Sequence, residues 1–176
     1  MRARRLPQII ALSRGALHLS RWDGIGGIGG AAGFERAGFD RILVVCDEIE
    51  PWGDLPAREP PRDLATRSRT VHVLRSDEGW PMPRRDLDAE ITWLATGKKR
   101  LVLCQHGESR SPAVAVAFLL VHERMGLGEA LRVVSEGILR WEDPPLSPFD
   151  REPLASIVFF YFVEPLLRGF GLDLDR

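Results

Sequence analysis

The chain has 176 residues, a length that suits one domain with one sizeable core. Apolar residues make up 44% and charged residues 28%, which excludes a disordered or fibrous chain. The formal net charge of -1 excludes a nucleic-acid protein held by bulk charge, and two cysteines, Cys46 and Cys104, are too few for a disulfide framework.

Taken in order, the chain opens with a basic tip whose apolar continuation is broken at Ser13 and Arg14, so no signal peptide is expected. Ala16-Leu17-His18-Leu19 alternates weakly and reads as an edge strand. Asp23 to Gly30 then matches G-x-G-x-x-G at Gly24, Gly26 and Gly29, ahead of a short helix from Ala31 to Ala37. Such an order would suit a dinucleotide site with Asp47 as its acidic strand end. The strand before the glycines is too polar for a buried first strand of that fold, and a surface loop gives the same glycines, so the loop reading is preferred.

Arg41 to Asp47 is the clearest strand, and its continuous apolar centre predicts a parallel sheet covered on both faces. Residues 51–69 read as a surface loop rich in proline and charge. Thr70 to Leu74 is another strand, followed by Arg75-Ser76-Asp77-Glu78-Gly79-Trp80-Pro81. Asp86 to Leu94 is a helix with Leu87, Ile91 and Leu94 on one face. Leu101 to Leu103 forms a short buried strand ending at Cys104, and an apolar helix from Pro112 to Met125, N-capped by Ser111, follows five residues of loop and Arg110. Helices over Leu127 to Ser135 and Glu152 to Leu167 complete the chain. Leu131 and Val134 are the inward positions of the first of these two. The apolar run Ile157 to Val163 is too short to span a membrane and reads as a docked helix rather than a dimer face. The predicted class is α/β: a central, mainly parallel sheet of about four to five strands flanked by helices, as one domain over residues 1–176.

In such sheets, ligand sites lie outside the carboxyl ends of the strands, where Cys46-Asp47, Ser76-Asp77 and Cys104 stand. A five-residue loop between a strand end and a helix N-terminus can turn its amides toward an anion, with the helix dipole adding to them. The reactive form of cysteine is the thiolate, which positive surroundings of this kind favour. The same amides, from Gln105, His106, Gly107, Glu108 and Ser109, can hold phosphoryl oxygens, while Arg110 grips two of them with paired donors. Ser111 is placed to donate to the cysteine sulfur. A carboxylic acid must protonate the leaving group, and Asp77 is the first choice because it follows a strand directly; Glu78 is second, and Asp86 and Asp88 read as solvated helix residues. Cys46 reads as a core thiol, with a redox partnership to Cys104 as the functional alternative.

Cys104-Gln105-His106-Gly107-Glu108-Ser109-Arg110-Ser111 resembles the cysteine-x5-arginine signature of the protein tyrosine phosphatase superfamily, and within it the dual-specificity branch. The resemblance extends from Ala16 to Leu154. Phe34 to Val45 is similar to the N-terminal helix and strand, and Arg140 to Phe149 to the segment before the last helix. It implies Cys104 as nucleophile, Arg110 and the loop amides as phosphate ligands, and an aspartate on an earlier loop as general acid. Asp77, 27 residues before Cys104 (104 minus 77), matches that spacing. Leu103 stands where the family carries histidine, which implies slower turnover. His106 stands where the dual-specificity branch carries alanine. Glu108 adds a negative charge to the loop and disfavours polyanionic substrates.

The expected activity is therefore hydrolysis of phosphate monoesters, on phosphotyrosine or phosphoserine/threonine, through a cysteinyl-phosphate, with no metal and no cofactor. The expected partners are phosphorylated proteins or small phosphomonoesters, without nucleic acid or membrane, for a monomeric cytoplasmic protein. A non-catalytic phosphate-binding relative and a rhodanese-like sulfurtransferase are the alternatives.

Overall fold

The computed structural model describes residues 9–12, 16–21, 30–46, 69–76, 82–107, 109–140 and 152–169. Five strands form one sheet: β1 Ile10–Leu12, β2 Leu17–Arg21, β3 Arg41–Cys46, β4 Val71–Arg75 and β5 Arg100–Cys104, in the order β1-β2-β5-β3-β4. β2, β5, β3 and β4 run parallel, and β1 is antiparallel to β2. The sheet is thus the mainly parallel one that the apolar strands predict.

The edge position differs from expectation. β2 lies inside the sheet, between β1 and β5, and the edge is Ile10–Leu12. β1 and β2, which flank Ser13 and Arg14 in the sequence, pair antiparallel. Leu17 and Leu19 are fully buried, and the polar residues between and after them still find partners: the His18 imidazole donates from Nδ1 to the Arg100 carbonyl, 3.2 Å away.

Side-chain parity sorts the two faces of the sheet, because alternate residues point to opposite sides and paired residues of neighbouring strands to the same side. Leu17 and Arg41 both pair with Arg100. The Arg100 guanidinium lies 5.1 Å from the Phe118 ring centroid of helix α3 (Arg110–Val121). Arg41 lies 5.4 Å from the Trp93 ring centroid of helix α2 (Arg84–Ala95). Leu17, Leu19, Val102 and Leu43 therefore face α2 and α3. The opposite face carries His18, whose ring meets Phe39 edge-on at 5.0 Å, and Phe39 in turn meets Phe34 of helix α1 (Gly30–Arg36).

α3 is the central helix. Arg110 through Leu119 are all buried, as an all-round apolar helix requires, and α3 packs on β2, β3 and β5 on one side and on helices α4 (Leu127–Ile138) and α5 (Glu152–Val158) on the other. In α4 the inward residues are Ala130, Val134, Gly137 and Ile138, with Leu131 only partly buried. Gly137 lets α4 lie close on β1: a Cβ there would come within 2.6 Å of Leu12 Cδ2, so a larger residue would have to displace that side chain.

The last helix is interrupted. α5 passes into a π-helical turn, Phe159–Val163, and then into α6, Glu164–Gly169. Two groups tie this segment to the start of α2. Glu164, itself buried, accepts from both Arg84 and Arg168, and the Tyr161 hydroxyl donates to Asp88. Burial, and then the adjacent Asp88 carboxylate, raise the Tyr161 pKa far above its usual value. The 51–68 loop lies outside the described residues.

Candidate active site

The β5–α3 connection is built as a cup. Cys104 closes β5 and is buried. Its sulfur lies 3.1 Å from Ser111 Oγ and accepts a hydrogen bond from the Gly107 N–H at 3.3 Å. Gly107 has φ +74°, a left-handed conformation that lets the chain double back so that its amide points at the sulfur. Gln105 and Ser109 are buried and His106 is exposed. Glu108 lies outside the described residues.

The helix start differs from the one that Ser-Pro suggests. α3 begins at Arg110, with Ser109 as its N-cap residue, and its first hydrogen bond runs from the Ala113 N–H to the Ser109 carbonyl at 3.0 Å. Pro112 occupies the third helical position, which is tolerated because amides of the first turn have no partner within the helix. Ser111 is therefore no cap. Its hydroxyl is left for the sulfur.

Arg110 stands in the first turn of α3, is 4% exposed, and donates from Nη1 to the Ser76 carbonyl at 3.4 Å. Ser76 follows β4, and its own N–H donates to the Cys46 carbonyl at 2.8 Å. The strand ends of β3, β4 and β5 are thus linked through Arg110, as their reactive residues suggest. The Ser76 and Ser109 hydroxyls are buried and make no hydrogen bond. Asp77 and Glu78, the acid candidates, lie outside the described residues, although the residue immediately before Asp77 is the one that Arg110 grips.

Cys46 and Cys104 are both free and buried, and Cys46 Sγ accepts from Arg75 Nη1 at 3.2 Å. Among the described residues no group of three or more His, Cys, Asp or Glu side chains could hold a metal ion. No described helix is long and apolar enough to cross a membrane. The glycine run from Gly24 to Gly29 and Asp47 lie outside the described residues.

Sequence reasoning passed over two residues of this region. Ser76 enters the sequence reading only in the strand-end pair Ser76-Asp77, and Arg21 does not enter it. The register pairs Arg21 with Cys104. The available signal is the one that singles out Asp77: a polar residue at the carboxyl end of a parallel strand.

No family model matches the chain, and no curated protein matches it in sequence. Solved structures do. A single-substitution variant of human DUSP28 aligns over 92% of this chain and 99% of its own with 20% identity and a TM-score of 0.59. A mouse putative dual specificity phosphatase complexed with zinc tungstate aligns over 94% and 91% with 19% identity and a TM-score of 0.58. The human tyrosine phosphatase-like serine/threonine/tyrosine-interacting protein aligns over 89% and 97% with 15% identity and a TM-score of 0.58. The chain has the dual-specificity phosphatase fold. Within that fold Cys104 stands at the carboxyl end of the central strand β5.

Proposed function

We propose that this chain is a cysteine-dependent phosphatase that hydrolyses phosphate monoesters, with phosphotyrosine or phosphoserine/threonine in proteins as its substrate class. The observation that carries the reading is the environment of the Cys104 sulfur. It receives the Gly107 N–H and lies beside the Ser111 hydroxyl, at the foot of a loop that ends in a buried arginine on the first turn of a helix. Likeness to phosphatase structures over most of the chain supports it.

The chemistry follows from these groups. The Cys104 thiolate attacks phosphorus while Arg110 and the loop amides hold the equatorial oxygens, whose charge they stabilise in the transition state. The P–O bond to the leaving group breaks, and the Asp77 carboxylic acid supplies the proton that the departing oxygen needs. The Asp77 carboxylate then takes a proton from water, which attacks the cysteinyl-phosphate. The S–P bond breaks to give inorganic phosphate, and Ser111 donates to the departing sulfur. Neither a metal nor a cofactor enters. We further assign the activity to a monomeric cytoplasmic protein.

The test is p-nitrophenyl phosphate hydrolysis in the presence of a chelator by wild type, Cys104→Ser and Asp77→Ala. Loss of activity in Cys104→Ser and a slowed rate with an altered pH profile in Asp77→Ala are expected. Activity that survives Cys104→Ser overturns the mechanism. An unaltered Asp77→Ala moves the acid to Glu78 or, if thiosulfate is turned over instead, favours a sulfurtransferase. The second reading, phosphate binding without turnover, is favoured by Leu103, which is fully buried and apolar where the similar family carries histidine. It predicts phosphopeptide binding by a wild type that releases no phosphate.

A further inference from the structure

Ser76 is 4% exposed, and its Oγ makes no hydrogen bond although its main chain is pinned on both sides. Its N–H donates to the Cys46 carbonyl at 2.8 Å, and its carbonyl accepts from Arg110 Nη1 at 3.4 Å. A buried hydroxyl without a partner forfeits the hydrogen bonds it would make in water, so the folded chain holds this one at a cost.

Strand parity gives the side to which the hydroxyl points. His72 of β4 stacks on Trp93 of α2 with ring centroids 3.6 Å apart, whereas Arg75 reaches Cys46 Sγ on the other face of the sheet. Ser76, four residues after His72 and still tied to β3 by its N–H, shares the side of His72. That is the side of α2, of α3 and of the Cys104 sulfur. The register gives its level. Leu103, Val44 and Val73 form one row across β5, β3 and β4. Cys104 stands one residue beyond that row and Ser76 three, so Ser76 lies two residues, or roughly 7 Å, farther out at the carboxyl edge. This is too far out for the sulfur. It is the level of a phosphoryl group seated on the sulfur and of the position opposite the sulfur, where the leaving oxygen departs and water enters.

We propose that the Ser76 hydroxyl holds the water that hydrolyses the cysteinyl-phosphate, as a catalytic residue of the second step. This rests on the phosphatase reading of the Cys104 loop and adds a group to it. Water carries two protons. The Asp77 carboxylate takes one as the water oxygen bonds to phosphorus and the S–P bond breaks with its electron pair left on sulfur. The other proton stays on the phosphate that forms, and by accepting a hydrogen bond from it Ser76 Oγ keeps the lone pair of the water aimed at phosphorus. In the first step the same place holds the leaving oxygen, which carries carbon where water has this second proton. Ser76 therefore serves hydrolysis and not phosphorylation of the cysteine.

The test is turnover of p-nitrophenyl phosphate with and without glycerol as a competing acceptor, by wild type, Ser76→Ala and Ser76→Thr, each checked for an unchanged thermal midpoint. An alcohol gives its one proton to Asp77 and has carbon in place of the proton that Ser76 holds, so loss of the hydroxyl slows attack by water alone. In Ser76→Ala the ratio of glycerol phosphate to inorganic phosphate is expected to rise about three- to tenfold, the worth of one neutral hydrogen bond, with kcat/KM for p-nitrophenol release unchanged. Ser76→Thr, which keeps a hydroxyl, is expected to keep the wild-type ratio. An unchanged ratio in Ser76→Ala, a ratio raised equally in Ser76→Thr, or a kcat/KM that falls as far as kcat overturns the assignment of Ser76 while leaving the phosphatase standing. A wild type that releases neither p-nitrophenol nor phosphate overturns the phosphatase reading together with it.

Discussion

The Ser111 hydroxyl oxygen lies 3.1 Å from the sulfur of Cys104, with both residues buried and seven positions apart in the chain. A hydroxyl so placed matters most when the sulfur is a leaving group, because a hydrogen bond to a charged partner is worth about 1.5–3 kcal/mol. Ser111→Ala is expected to slow breakdown of the cysteinyl-phosphate by roughly 10- to 100-fold. The first turnover should stay fast. The check is a stopped-flow trace, which should show a burst of p-nitrophenol equal to the enzyme concentration; a uniformly slow trace without a burst would place the role of Ser111 elsewhere.

Gly107 combines a positive φ with an amide that donates to the sulfur. Any L side chain there costs about 1–2 kcal/mol of backbone strain, and relief of that strain swings the amide away. Gly107→Ala should therefore lose far more activity than stability. Thermal melting should shift by only a few degrees. Vanadate inhibition, which reads the cup directly, should weaken at least tenfold, an outcome that unchanged inhibition would refute.

His18 gives the fold a pH dependence of known sign. Burial lowers its pKa; the bond to the Arg100 carbonyl opposes this, and Lys99 adds to the lowering. The folded protein therefore prefers the neutral ring, while the unfolded chain takes up a proton near the ordinary value of about 6.5. The contribution of His18 is full above that value and declines as pH falls below it toward the lowered folded value. Between pH 7.5 and pH 5 the wild type should lose more of its melting temperature than His18→Gln, whose amide can still donate to the Arg100 carbonyl. Parallel losses in the two proteins would show that other groups set the acid limb.

Glu164 is buried between Arg84 and Arg168, whose side chains are 42% and 51% exposed. That exposure screens the pairs, so Glu164→Gln should cost only about 1 kcal/mol, or roughly 2–4 °C in melting temperature. Addition of salt should narrow the gap between the variants. A loss three times as large would mean that the carboxylate holds the π-helical turn itself and not merely the end of α2.

The sequence made the Cys104 loop legible because its grammar is local. A buried strand, five residues, an arginine and an apolar helix can all be read within Leu101 to Val121, and the buried faces of α2 and α3 followed from spacing alone. The start of α3 was read two residues late, because Ser-Pro is also the normal start of a helix. What distinguishes Ser111 is a sulfur that folding brings to it. The Ile10–Leu12 strand was missed because three residues carry too little alternation to stand out, and only its pairing with Leu17–Leu19 reveals it. Arg21 shows the same limit, since its pairing with Cys104 lies in a register that no single segment contains.

The way Arg100 is held sets a rule for how this chain can change. Its guanidinium donates from Nε to the Leu94 carbonyl at 2.8 Å and from Nη2 to the Ala95 carbonyl at 3.3 Å, so the first residue of β5 is latched to the last turn of α2. Asp40 fastens the stretch between them by accepting from the Lys98 and Lys99 amides. Four residues beyond the latch stands Cys104. One residue added or removed between Arg100 and Cys104 would exchange inward for outward side chains and turn the thiol toward the α1 face, away from Ser111. Descendants of this chain can exchange one apolar residue for another of similar volume along that buried stretch, but they cannot alter its length and keep Cys104 beside Ser111.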